Sequence, residues 1–294
     1  MTAAATEIAA LDATAQAALV RSGQVSAAEL VDGAIDRIER LNPQLNAVVI
    51  PLFEQARAAV ADVTPTGPFA GVPFLPKDLV VEIEGTPLRE GSMFLRDNVS
   101  TFTCELVTRL RRAGLVMVGR TNSPEFGMVP ACEPQVHGPT RNPWDPRRST
   151  SGSSGGSAAA VASGMVPMAH GNDMKFSRTV ATFLSGGERG GVDLWLTPTM
   201  SQPVARIGEI ASTPAEPLKA LERGAPTVAY PLVVANITGN PAMSVPLAQA
   251  PDGMPIGMHF LGRFGDEATL LRLAAQLELA RPWAALTPPI HATR

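Results

Sequence analysis

Cysteine is almost missing from this sequence. Cys104 and Cys132 are the only two in 294 residues, and their spacing is not that of a metal site. This excludes a disulfide framework and implies a reducing compartment, where both thiols read as small core residues. Positive charge is not concentrated anywhere either: the formal net charge is −3 and no basic tract occurs. General attraction to nucleic acid or to an anionic membrane is excluded on that ground, so neither is expected as a partner. Long apolar runs are lacking too, since none approaches the roughly 20 residues that span a bilayer. The opening MTAAATEIAALDATAQ puts Glu7 and Asp12 ahead of any Lys or Arg. A secretion signal needs a basic start and a continuous apolar stretch. A cytoplasmic protein is the expectation. Internal repeats and low-complexity tails are also absent.

What is present is enough apolar material for a packed core, 45% of the residues. A chain of this length buries roughly 75% of its unfolded surface. TEIAALDATAQAALVRSG predicts a short helix closed by Gly23. SAAELVDGAIDRIERLNP predicts a second. Its Ser26 and Glu29 form a capping box, Leu30, Ile35, Ile38 and Leu41 recur at helical spacing, and Pro43 helps to end it. NAVVIPLF reads as a strand, EQARAAVADV as a helix, and LVVEI as a strand inside a proline- and glycine-rich stretch. TCELVTRLRRAG predicts an amphipathic helix with Leu106, Val107 and Leu110 on one side and Arg109, Arg111 and Arg112 on a solvated face. The all-apolar strand LVMVGRTN follows at once, which is an α/β rhythm. DLWLTPT, AYPLVVANITG, AMSVPLA and PIGMHFLG are later strand candidates. DEATLLRLAAQLELAR is the clearest helix, with Asp266 and Glu267 at its start, Arg281 at its end and a core stripe of Leu270, Leu273 and Leu277.

The chemistry concentrates in SGSSGGSAAAVASG, residues 151–164. It is not a phosphate loop, because no lysine follows Gly155 or Gly156 and no strand precedes it. It is a poor linker, because an apolar helix and strand continue directly beyond Ser157. A catalytic reading remains. A serine hydroxyl is a weak nucleophile until a base takes its proton, and glycines let backbone N–H groups approach a developing oxyanion. None of His137, His170, His259 and His291 stands in a readable Ser-His-Asp context. A lysine serves as base if burial leaves it neutral. Only Lys77, Lys175 and Lys219 exist, and Lys77 lies between apolar walls in GVPFLPKDLVV. The alternative for Lys77 is a structural pair with Asp78 or another carboxylate.

At these residues the sequence resembles the amidase signature family, the Ser-Ser-Lys C–N hydrolases. The similarity is carried by AGVPFLPKD, VGRTNSPEFGM, GPTRNPWDPRRSTSGSSGGSAAAVASGMVPMAHGND, DLWLTPT and NITGNPAMSVPLAQAPDGMPIGMHFLGRFGDEATLLRLAAQLE, in that order. Within the family, ATAQAALVRSGQVS, TRNPW and MAHGND are most similar to the 6-aminohexanoate-cyclic-dimer hydrolases. The resemblance implies an α/β fold, a mixed β-sheet core flanked by helices. It also implies that Lys77 is the neutral base and that Ser153, after a cis peptide, relays a proton. Ser154 and the residues Asp173, Met174, Lys175 and Phe176 fall at substrate-binding and oxyanion positions. Neither metal nor cofactor is implied.

The nucleophile segment departs from the family's D-x-G-G-S-I-R-x-P-A. Here the chain reads GNDMKFSRTVATFLSGG. Ser177 lies four residues after Asp173, but Met174, Lys175 and Phe176 replace the glycine-rich approach. Two accounts follow. In one, Ser177 is the nucleophile of a minimised amidase acting on a small-molecule amide. In the other, a large internal block is missing after Asp173, Ser177 is in register by accident, and the chain is an inactive amidase-like scaffold that keeps at most ligand binding. A third role, an amidase-like subunit of a transamidating complex, needs a partner that nothing in the sequence identifies. The domain expectation is one amidase-like domain over 1–294, with 1–173 and 174–294 on either side of the gap. Strands left open by a missing block would favour a homo-oligomer.

Overall fold

The computed structural model describes residues 7–61, 66–172, 194–228, 235–236 and 238–294. It divides into two compact units. One comprises residues 1–172, 205–215 and 287–294, the other residues 173–204 and 216–286.

In the first unit the N-terminal helix expected as one piece is split. Asp12 accepts the Ala15 N–H at 2.7 Å and starts a fresh helix, α1, Ala13–Arg21. Helix α2 spans Ala27–Leu45 and carries the predicted capping box: Ser26 Oγ accepts the Glu29 N–H, and Glu29 Oε2 accepts the Ser26 N–H. It continues two residues past Pro43. Asn46, in the left-handed region at φ 51°, ends it, and Asn42 takes the N–H groups of Ala47 and Val48 at 2.8 Å each. The side chain of Asn42 thus supplies the stop that Pro43 alone does not.

Strand β1, Val48–Pro51, is followed by α3, Phe53–Ala61, β2, Pro73–Leu75, and α4, Glu105–Arg112. Strands β3, Val116–Met117, and β4, Gly119–Thr121, precede α5, Gly155–Ala162, and β5, Met168–Ala169. Strand β2 lies between β3 and β5 in a parallel sheet, and β1 pairs antiparallel with β4. Alternate residues of this layer enter different clusters. Leu75, Val116 and Val118 pack with Val31, Ile35, Ile38 and Ala160 on one face, whereas Phe74, Leu115 and Met117 pack with Ile50, Val81 and Val107 on the other. A sheet buried on both faces needs a run such as LVMV without polar alternation.

Two sequence expectations fail here for physical reasons. LVVEI is not a strand: Val80 has φ 51°, and the Arg120 guanidinium draws in the Val81 carbonyl at 2.6 Å. On α4, Leu106 faces solvent while Val107 is buried, so the apolar side is set by the 107/110 spacing. Arg109 on that helix pairs with Glu105 at 2.8 Å, and Arg111 and Arg112 are exposed. Cys132 is buried, whereas Cys104 is half-buried before the start of α4; both are free.

The second unit holds an antiparallel sheet in the order β6, Leu194–Pro198; β8, Pro255–Gly262; β7, Ala242–Gln249. A short helix, α6, Lys219–Gly224, lies between β6 and β7 in sequence. Helix α7, Glu267–Ala280, lays Leu270, Leu273 and Leu277 over Val245 and Phe260, as its apolar stripe predicts. The AYPLVVANITG strand is not seen in its described part. Ala235, Asn236 and Thr238 are helical, with the Gly239 N–H bonded to the Ala235 carbonyl at 2.8 Å. The rest of that segment lies outside the described residues. No described helix is long and apolar enough to cross a membrane.

Candidate active site

Lys77 is placed by β4. The chain leaves β2 through Pro76, whose carbonyl accepts the Thr121 N–H at 2.9 Å, while the Thr121 carbonyl accepts the Asp78 N–H at 3.0 Å. Lys77 therefore extends the sheet beside Thr121 and is wholly buried. Its Nζ donates to Ser153 Oγ at 2.7 Å, across 76 residues of sequence. The Gly152–Ser153 peptide is cis.

The glycines of the loop are sites of close approach. A side chain at Gly152 would lie 2.8 Å from the Val129 carbonyl oxygen and 3.0 Å from the Ala131 nitrogen. At Gly156, in the first turn of α5, a Cβ would meet the backbone nitrogen of Asn122 and lie 2.6 Å from its oxygen and 2.9 Å from Ala47 O. Ser154 stands at the N-cap of α5 without a capping hydrogen bond, its Oγ near Gly171. Asp173, Met174, Lys175, Phe176 and Ser177 lie outside the described residues.

Sequence reasoning passed over the groups that join these elements. Thr121 Oγ1 and Ser157 Oγ are 2.6 Å apart, and Ser157 donates to the His170 carbonyl at 2.7 Å. Because Ser157 spends its proton on His170, Thr121 is the donor to Ser157. The chain ties β4, α5 and the end of β5 around the lysine. Asn172 Nδ2 donates to the Leu79 carbonyl at 3.1 Å. The Cys132 thiol is pushed up to about 11, chiefly by burial, and stays protonated at neutral pH. A cavity of about 320 Å³ opens elsewhere in the unit, lined by residues such as Leu52, Ala56, Ile83 and Met117; neither Lys77 nor Ser153 lines it.

Residues 29–178 and 174–271 match the Amidase family. The chain belongs to this family. It is 47% identical to the 6-aminohexanoate-cyclic-dimer hydrolase of Paenarthrobacter ureafaciens over 181 residues, 60% of this chain and 36% of that protein. It is 38% identical to the acylamidase of Rhodococcus erythropolis over 183 residues, 60% of this chain and 38% of that protein. The amidase-family chain thus spans little more than a third of these curated relatives in alignment. In fold it resembles a solved 6-aminohexanoate cyclic dimer hydrolase, with a TM-score of 0.80 at 24% identity over 96% of this chain and 99% of that one. The mixed α/β architecture is that of amidase signature enzymes.

Burial lowers the proton affinity of three histidines in this amidase-family chain. His170 and His259 are held below the usual imidazole value chiefly by burial, and His291 by burial and then by Arg294 and Arg40. Each binds a proton more readily when unfolded, so their contribution is present above about 6.5, the unfolded value, and is lost as pH falls below it through the lowered folded values. The urea midpoint followed by circular dichroism is expected to drop between about pH 7 and pH 5.5. A flat midpoint across that window contradicts the assignment.

Proposed function

We propose that this chain hydrolyses the C–N bond of a small carboxamide through a serine acyl-enzyme. The carrying observation is the buried 2.7 Å contact of Lys77 Nζ with Ser153 Oγ in a member of the Amidase family. Enclosure removes the water that would stabilise an ammonium, so Lys77 acts as a neutral base. Ser177, in register with the family's nucleophile, attacks the carbonyl. Its proton goes to Ser153 as Ser153 gives its own to Lys77. The reverse path protonates the leaving amine, and water then cleaves the acyl-enzyme. The scheme uses no metal or cofactor.

A second reading is favoured by one observation. The two family matches meet and overlap at residues 174–178, which is where the sequence leaves the glycine-rich pattern. The same 181 aligned residues are 60% of this chain but 36% of a longer relative. Both facts support an internal block missing after Asp173. On that reading the chain is an amidase-like scaffold without turnover. A serine-directed fluorophosphonate probe followed by peptide mapping separates the two. Label on Ser177 supports the hydrolase. A folded protein that takes no label supports the scaffold.

A further inference from the structure

We propose that the cavity beside β3 is a second binding site, fitted to a short, extended, zwitterionic amide such as a dipeptide. Among the described residues β3 pairs only with β2, so one of its edges is open. The cavity, about 320 Å³, touches three successive residues there, Leu115, Val116 and Met117. Val116 packs on one face of the sheet, whereas Leu115 and Met117 pack on the other. A void that meets both faces of a strand lies at its edge, and the edge toward β2 is filled. The Val116 N–H goes to Val72 O at 2.9 Å and the Val118 N–H to Phe74 O at 3.0 Å. In a trans peptide the carbonyl points opposite to the N–H that follows it, so the carbonyls of Leu115 and Met117 point away from β2. Val116 is the residue in register with Pro73, and the Met117 N–H, one step on, also turns to the open edge. None of these three groups has a hydrogen-bond partner among the described residues. The Leu115 carbonyl and the Met117 N–H are spaced to bracket one residue of an added strand.

The rest of the wall suits such a chain. Leu52, Ala56 and Ile83 are buried and apolar, and offer a surface for its aliphatic parts. Arg111, in the last turn of α4, and Glu84 also line the cavity; both are exposed, and neither is in an ion pair among the described residues. A guanidinium forks onto a carboxylate, and a carboxylate takes an ammonium. One charge of each sign on the wall therefore answers a molecule that carries one of each. A purely apolar occupant would use neither charge and would leave the Met117 N–H without a partner, which is costly when water is displaced. The volume sets the length: ligand pockets start at about 300 Å³, so one or two residues fit and a longer peptide does not.

The chain has 11 methionines, so the full-length protein labelled with nitrogen-15 at methionine gives few amide signals, and Met117→Leu assigns one by its loss. Titrated with alanyl-leucine, the Met117 amide proton is expected to move downfield and to saturate, with a midpoint of about 1 mM for a ligand of this size. The alcohol 1-hexanol, which fills apolar space but has no amide, is expected to give no such downfield shift. Ala59 is an exposed residue of the cavity wall, and Ala59→Trp is expected to weaken the dipeptide by about tenfold or more by filling the space. Arg111→Gln is expected to weaken it by about three- to tenfold. A Met117 amide unmoved by the dipeptide, or moved equally by 1-hexanol, overturns the proposal. Undiminished binding to folded Ala59→Trp does so too, because the dipeptide then sits elsewhere. If Ala59→Trp does not fold, Arg111→Gln decides the point, and full affinity there overturns the proposal. Neither Lys77 nor Ser153 lines the cavity and no reading needs turnover, so the result stands apart from the hydrolase reading.

Discussion

Replacing Lys77 by methionine lowers the rate of fluorophosphonate labelling, and of any amide turnover, by about 10²–10⁴-fold, the range that a positioned general base contributes. Methionine is chosen because it keeps the volume of the lysine stem while deleting the amine. The site is wholly buried, so alanine would add a cavity to the chemical loss and confuse the two. Deleting the amine alone leaves Ser153 Oγ without this buried partner, so a loss of about 1–3 kcal/mol in the urea experiment is expected beside the much larger loss of labelling. What disappears is the amine 2.7 Å from Ser153 Oγ, the group that would take its proton. Ser153→Ala should then cost about as much as Lys77→Met, and the double variant little more, because residues that pass one proton act as a unit. Labelling of Lys77→Met at the parent rate ends the reading of Lys77 as base.

The parts legible in the sequence are those whose cause is local. Helix α2 announces itself because Ser26 and Glu29 close the box within three residues and its apolar positions follow one face. Strands β7 and β8 and helix α7 are likewise set by runs that need no distant partner. LVVEI misleads because its conformation is decided by Arg120, 39 positions from Val81 in sequence, where composition sees only a short run of four apolar residues around one glutamate. The site divides in the same way. Apolar flanks mark Lys77 as unusual, and the serine-glycine run marks Ser153, but their contact spans 76 residues and was reached through the family resemblance. The Thr121–Ser157 bond and the Asp78–His137 approach have no local signature at all. A threonine after an arginine, or an aspartate after a lysine, is ordinary until the strands meet.

The glycines of the loop show the same point in a form that can be measured. Gly156→Val is expected to destabilise the protein by about 2–4 kcal/mol, as overpacking against backbone does. The first added carbon would already be pressed onto the backbone nitrogen of Asn122 and lie 2.6 Å from its oxygen, and neither atom can swing aside as a side chain does. Asn122 cannot yield freely, since its Nδ2 holds the Gly138 carbonyl at 2.9 Å and Thr140 Oγ1 at 3.0 Å. It also follows Thr121, whose backbone places Lys77, so the displaced strand carries the lysine with it. Gly253→Ala is the control: its φ of 83° imposes backbone strain, but nothing lies within 4 Å of the added carbon. That strain is worth about 1–2 kcal/mol and leaves probe labelling alone. Urea denaturation followed by circular dichroism gives both losses. A Gly156→Val protein as stable as the parent would mean that the loop needs its glycines for flexibility, and the account of α5 seated directly on the Asn122 backbone would fall.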